Sequence, residues 1–209
     1  MNSSRRPSLN SAKKICIICE GYEEYEYIQK LIILKVWKDT YDFFPINAES
    51  NGKIPARYQE IYMNDSYDIV LVFCDTDTKP FEDYESIKKK INKIHGIDKS
   101  AEKVVIFANP CTMQVILLHF ADIRLDSHKK SDNRKHIKSL TGIARYNAKK
   151  LQRDQLFEKI TLDNYQMMMQ NIINLSMDDT EVGSTNFKKF IDHFSDENTS
   201  WIENITSKL

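Results

Sequence analysis

No stretch of the 209-residue chain is apolar for long enough to cross a membrane. The first fourteen residues carry Arg5 and Arg6 among serines and asparagines and lack an apolar run of signal-peptide length. These absences predict a tail without fixed structure over residues 1–13, ahead of a soluble, cytoplasmic domain that needs no membrane. Net charge is missing too: 30 basic residues balance 30 acidic ones, so any affinity for nucleic acid has to come from a local patch. Cysteine is scarce, and three of the four (Cys16, Cys19, Cys74 and Cys111) lie in apolar runs that read as buried strands, which suggests free thiols in a reducing compartment. Cys16 and Cys19 form a C-x-x-C, but side chains three apart on a strand face opposite sides and do not share a zinc ion or an easy disulfide. There is no internal repeat.

The hydrophobic fraction of 41% and the charged fraction of 29% are ordinary for a folded domain, and the length suits one core with an extension. Ile15 to Cys19 is a short β-branched run ending at Glu20-Gly21, after which Tyr27, Ile28, Leu31, Ile32, Leu34 and Trp37 recur at helical spacing. Tyr41 to Ala48 reads as a second strand broken by Pro45, and Ala56 to Met63 as a helix whose start is marked by Pro55. Asp68 to Cys74 is nearly all apolar, as a strand covered on both faces of a parallel sheet should be. A charged helix over Asp83 to His95, an apolar run at Lys103 to Ala108, and a helix opened by Asn109-Pro110 and continuing through Phe120 complete an α/β core over residues 14–122. The expected fold is a Rossmann-like, mostly parallel sheet flanked by helices. Residues 123–209 are expected to form a basic segment and a helical extension packed on it, with Asp178 to Ser184 as the clearest loop.

Ligands of an open parallel sheet collect at the carboxyl ends of its strands. Two such ends are acidic here: Glu20 closes the first strand, and Asp75 with Asp77 closes the strongest, where residues i and i+2 point the same way. Carboxylates crowded together repel one another unless a cation neutralises them. Mg²⁺ (or Mn²⁺) is the natural candidate, because it needs only one or two protein carboxylates and takes its other oxygens from water and phosphate. The plainer account of Asp75 and Asp77 is loop capping beside a solvated helix, and a Glu-Gly turn is commonplace. The conjunction of all three favours metal.

The run Cys19-Glu20-Gly21-Tyr22-Glu23-Glu24-Tyr25-Glu26-Tyr27, then Asp75-Thr76-Asp77, then Asn109-Pro110-Cys111 leading to Leu117-Leu118-His119-Phe120, resembles the RloB-like family of TOPRIM proteins associated with bacterial restriction and abortive-infection loci. Gly183-Ser184-Thr185-Asn186 is similar to that family's closing Asn-Pro-Ser-Thr segment, so the resemblance spans about residues 14–195. It implies a TOPRIM-type fold and a Mg²⁺-dependent nuclease-like centre. Glu20 then corresponds to the acid/base or metal-binding glutamate, Asp75 and Asp77 to the metal-binding pair, and Glu24 to a second acidic position. An ATPase partner and a role in phage defence are implied in the same way. Thr112-Met113 departs from the family's Phe-Glu, Val115 from its tryptophan and Val182-Gly183 from its Asn-Pro, which removes an acidic group from the expected centre.

Between Ile123 and Arg153 ten basic residues face two acidic ones, a net of +8 in a neutral chain. Lys129, Lys130, Arg134, Lys135, Lys138, Arg145 and Lys149, with His128, His136 and Tyr146 interleaved, are the candidate contacts to a phosphate backbone. A solvated helical face is the bland alternative. His119, on an apolar helix, reads first as a hydrogen-bonded core histidine. Competing readings are a degenerate module that binds nucleic acid or a partner protein without cleavage, a haloacid-dehalogenase-type phosphatase, in whose motif Lys79 replaces the usual Thr or Val, and a glycosyltransferase D-x-D without any nucleotide-binding signature. The sequence leaves a homodimer open.

Overall fold

The computed structural model describes residues 11–76 and 81–209. The expected tail over residues 1–10 and the expected metal ligand Asp77 lie outside the described residues.

Strand β1 (Lys13–Cys19) is followed by helix α1 (Tyr22–Ile33), β2 (Tyr41–Asn47), α2 (Ile54–Met63), β3 (Ile69–Asp75), α3 (Phe81–His95), a helical turn α4 (Ala101–Val104), β4 (Val105–Asn109) and α5 (Met113–Leu117). Then come α6 (Lys130–Thr141), α7 (Lys150–Glu158), α8 (Leu162–Asn171), the two-residue strand β5 (Ser184–Thr185), α9 (Phe187–Phe194) and α10 (Ser200–Thr206). The strands form one α/β sheet in the order β2-β1-β3-β4-β5, parallel throughout except for β5. This is the expected Rossmann-like arrangement. Among the described residues no helix is long and apolar enough to cross a membrane.

All seven residues of β3 are buried, as the unbroken apolar run requires of a central parallel strand. On one face Phe73 stacks on Phe187 of α9 with centroids 5.3 Å apart, and Tyr27 of α1 lies 6.0 Å from the same ring. On the other face Tyr58 of α2 meets His95 of α3 through Oη and Nε2 at 3.0 Å, and Tyr84 of α3 lies 6.3 Å from Phe107 of β4. Side chains alternate along the strand, so Asp75 shares the α1 face with Phe73.

Four expectations are corrected. Lys13, expected in the tail, belongs to β1, because Asp68 accepts from Lys13 Nζ at 3.1 Å and from the Lys14 N–H at 2.8 Å and so draws both residues into the strand. Pro45 does not break β2: the strand lies at the sheet edge, where a missing N–H disturbs no ladder. The helix after Asn109-Pro110 starts only at Met113 and stops at Leu117, and Asn109 does not cap it; its Nδ2 donates to Asp179 O at 2.8 Å. Finally, the segment after residue 122 is more than a helical extension, since Ser184 and Thr185 pair antiparallel with Asn109 and Ala108. Asn186 lengthens that edge with its side chain, accepting the Phe107 N–H and donating to Val105 O, each at 2.8 Å. The loop expected from Asp178 is tied down as well, with Asp179 Oδ2 accepting from Tyr84 at 3.0 Å and Lys88 at 2.7 Å.

Candidate functional site

Glu20 is the first residue beyond β1, and its N–H still donates across to Phe73 O at 3.0 Å. That rung fixes the backbone, and the side chain turns to the end of β3, where Oε2 accepts the Asp75 N–H at 2.8 Å. Asn51, the first residue of a single 3-10 turn (Asn51–Lys53) ahead of α2, approaches the same carboxylate. With its amide nitrogen facing Glu20 it donates to Oε1 at 2.8 Å and Oε2 at 2.7 Å. Glu24, only 4% exposed, stands in the first turn of α1, where Oε2 accepts the Gly21 N–H at 2.9 Å and holds the helix start in the manner of a capping box. Its other oxygen lies 2.7 Å from Thr112 Oγ1. Thr112 donates its N–H to Asp75 Oδ1 at 2.7 Å, and its hydroxyl lies 2.8 Å from that same oxygen.

The structure thus brings together Glu20, Glu24 and Asp75, from the turn after β1, the start of α1 and the end of β3. Their convergence follows from topology: β1 and β3 are parallel neighbours, so both release the chain at the same edge.

One hydroxyl carries one proton, and Thr112 Oγ1 has a carboxyl oxygen on each side. A proton on one of those carboxyls completes the network, and Glu24 is the group suited to hold it. Burial raises its pKa from 4.5 to about 8, and the neighbouring negative charges of Asp75 and Glu23 add to the effect. With Glu24 protonated, the arrangement is a chain from Glu24 Oε1–H to Thr112 Oγ1–H to Asp75 Oδ1.

All carboxylate donors here are hard oxygens, and Glu20 with Asp75 meets the requirement of Mg²⁺ for one or two protein carboxylates. Among the described residues no group of three or more His, Cys, Asp or Glu side chains is arranged to hold a metal ion. Two carboxylates are the number Mg²⁺ asks of a protein; a cage of protein ligands does not form among the described residues.

The basic segment docks on α1, beside the carboxylates. Tyr146 donates its hydroxyl to Glu23 Oε1, and Arg153 forks onto Glu26 through Nε at 2.8 Å and the second guanidinium nitrogen Nη2 at 2.9 Å. Gln152 braces the intervening loop, accepting the Asn147 N–H at 2.9 Å and donating to Arg145 O at 3.1 Å. Lys129, Arg134, Lys135, Lys138, Arg145 and Lys149 are exposed, and Lys130 opens α6. The sequence count overstates the patch, because Arg153 is committed to Glu26, Arg124 to Glu181 at 3.0 Å and Lys150 to Asp154 at 2.9 Å. Tyr146, read as an interleaved aromatic, is buried and structural.

His119 is a core residue. Tyr27 Oη and His119 Nε2 are 2.9 Å apart and share a hydrogen bond, and burial drives the imidazole pKa down to about 3, so the ring is neutral. The four cysteines are buried and no disulfide joins them; burial pushes Cys16 up to about 12 and Cys19 and Cys74 well above their ordinary value. Such thiols are inert. Thr112 and Asn51 are the site residues that sequence reasoning missed. Thr112 was visible only as a departure from a family pattern, and Asn51 stands in a Ser-Asn-Gly turn that gives no sign of its partner.

No family model, curated protein or solved structure matches the chain.

Proposed function

We propose that this chain is a Mg²⁺-dependent phosphodiesterase of the TOPRIM type that acts on DNA or RNA in a cytoplasmic setting. The observation that carries this reading is the meeting of Glu20, Glu24 and Asp75 at one sheet edge, next to a basic segment fastened to α1 by Glu23 and Glu26. Glu20 and Asp75, together with Asp77, would hold the ion. Mg²⁺ when bound supplies Lewis acidity at a phosphoryl oxygen and orients the attacking group. Glu20 is kept in place by the Asp75 N–H and Asn51, Asp75 by Thr112, and the exposed lysines and arginines neutralise flanking phosphates. Action in phage defence, alongside an ATPase, follows from the resemblance to RloB-like proteins alone.

A second reading has one observation in its favour: the Glu20 carboxylate already accepts from protein donors, as it would in a module that binds nucleic acid or a partner without cleaving. The full chain incubated with labelled DNA or RNA and Mg²⁺ or Mn²⁺ separates the two. The enzyme reading expects cleavage that requires metal and is lost in Asp75→Asn and Glu20→Gln. Salt-sensitive binding with no turnover under any metal supports the binding module instead.

A further inference from the structure

We infer that Thr112 is a positioning residue of this centre: the loop between β4 and α5 aims the Asp75 carboxylate, through the Thr112 N–H and hydroxyl, and ties it to Glu24. The inference rests on the reading of Glu20 and Asp75 as ligands of a divalent ion.

Asp75 is the last residue of β3, at the point where the ladder stops restraining the chain. Its N–H is taken by Glu20, which fixes the backbone but leaves the side-chain torsions to other restraints. Thr112 provides two, at 2.7 Å from the main chain and 2.8 Å from the hydroxyl, both on Oδ1. Two donors of different origin on one oxygen define the carboxylate plane more narrowly than either does alone. Thr112 is itself immobile: it is fully buried, and its carbonyl accepts the Val115 and Ile116 N–H groups at 3.0 and 3.1 Å. The same hydroxyl reaches Glu24 Oε1 at 2.7 Å, so helix α1, strand β3 and the loop after β4 are joined through one atom. A neutral hydroxyl performs this join without adding a further negative charge between two carboxyl groups. Partners that orient metal-binding carboxylates typically change metal affinity by about 10- to 100-fold when removed.

The test compares the full-length parent with Thr112→Ser, which keeps the hydroxyl, and Thr112→Val, which keeps the shape and the main-chain N–H. Mn²⁺ affinity is measured by calorimetry on the metal-free protein, alongside the metal dependence of cleavage and the melting temperature without metal. The expected result is a weakening of Mn²⁺ binding by roughly 10- to 100-fold in Thr112→Val, with a matching rise in the metal concentration for half-maximal cleavage, and near-parental values in Thr112→Ser. A Thr112→Val protein that melts lower but binds Mn²⁺ as the parent does would make Thr112 purely structural and overturn the inference. If the parent binds Mn²⁺ with the expected Thr112 dependence but cuts nothing, the positioning role stands and the phosphodiesterase reading falls. If the parent binds no Mn²⁺, both fall.

Discussion

Burial favours the protonated form of Glu24 over the form an exposed glutamate takes, and the consequence is a stability that depends on pH in a definite direction. In the unfolded chain its carboxyl titrates near 4.5, and in the folded protein near 8. Between those values the folded state holds more protons than the unfolded one, so the free energy of unfolding falls as pH rises. The stabilisation is whole below the lower value and is lost as pH climbs through the upper one. Glu24→Gln imitates the protonated form: an amide oxygen can accept the Gly21 N–H and the amide nitrogen can donate to Thr112. Thermal melting from about pH 5 to about pH 9 should show the variant and parent close together in acid, with the variant gaining on the parent as the solution becomes alkaline. A gap that stays constant, or a parent that gains on the variant in alkali, would remove the proton from Glu24.

Whole elements depend on contacts that no local pattern announces. The Arg153–Glu26 fork anchors the start of α7 on α1, with the two side chains 10% and 20% exposed, so the ion pair is largely shielded from water. Without Glu26, Arg153 keeps Ala148 O and the Tyr22 ring as partners, at a cost on the order of 2 kcal/mol, below that of stranding a fully buried charge. Glu26→Ala is therefore expected to lower the unfolding free energy by about that much in urea denaturation, whereas a loss within ordinary surface scatter of about 0.5 kcal/mol would mean that the fork does not hold α7. The seal on β4 depends in turn on Gly183, which adopts φ +76° and donates its N–H to Asn109 O at 2.9 Å. A Cβ there would come within 2.7 Å of Leu125 O and closer still to the Arg124 side chain. Gly183→Ala should destabilise by roughly 1–3 kcal/mol, as a strained left-handed position with backbone in the way requires. An unaltered urea midpoint would show that the turn into β5 tolerates a side chain.

Across the molecule as a whole, what was legible depended on how local its cause is. The buried run of β3, the β-branched β1 and the amphipathic α1 are written in periodicity, and parallel order then brings Glu20 and Asp75 to one edge without further information. The pairing of Ser184 and Thr185 with β4 was not legible, because two residues carry no strand pattern and the partner lies some 75 positions earlier in the chain. Thr112 and Asn51 were hidden for the same reason: each acts through space on a residue whose position only the fold decides. The basic segment was legible as charge but not as structure, since sequence does not show that Arg153 and Arg124 are already paired. With a neutral chain, binding to nucleic acid should come from the exposed set alone. Lys138→Ala with Lys149→Ala is expected to weaken binding evenly across sequences and to reduce the slope of log affinity against log salt by about 2. An unchanged slope would move the interface elsewhere.

The proposed chemistry turns on whether a divalent ion sits between Glu20 and Asp75. A crystal of the full chain soaked in Mn²⁺ and read by anomalous scattering answers that directly. A metal centre at this edge predicts a peak about 2.1 Å from an oxygen of each carboxylate. A crystal that takes up Mn²⁺ only elsewhere, with Glu20 still held by Asn51 and the Asp75 N–H, would contradict it.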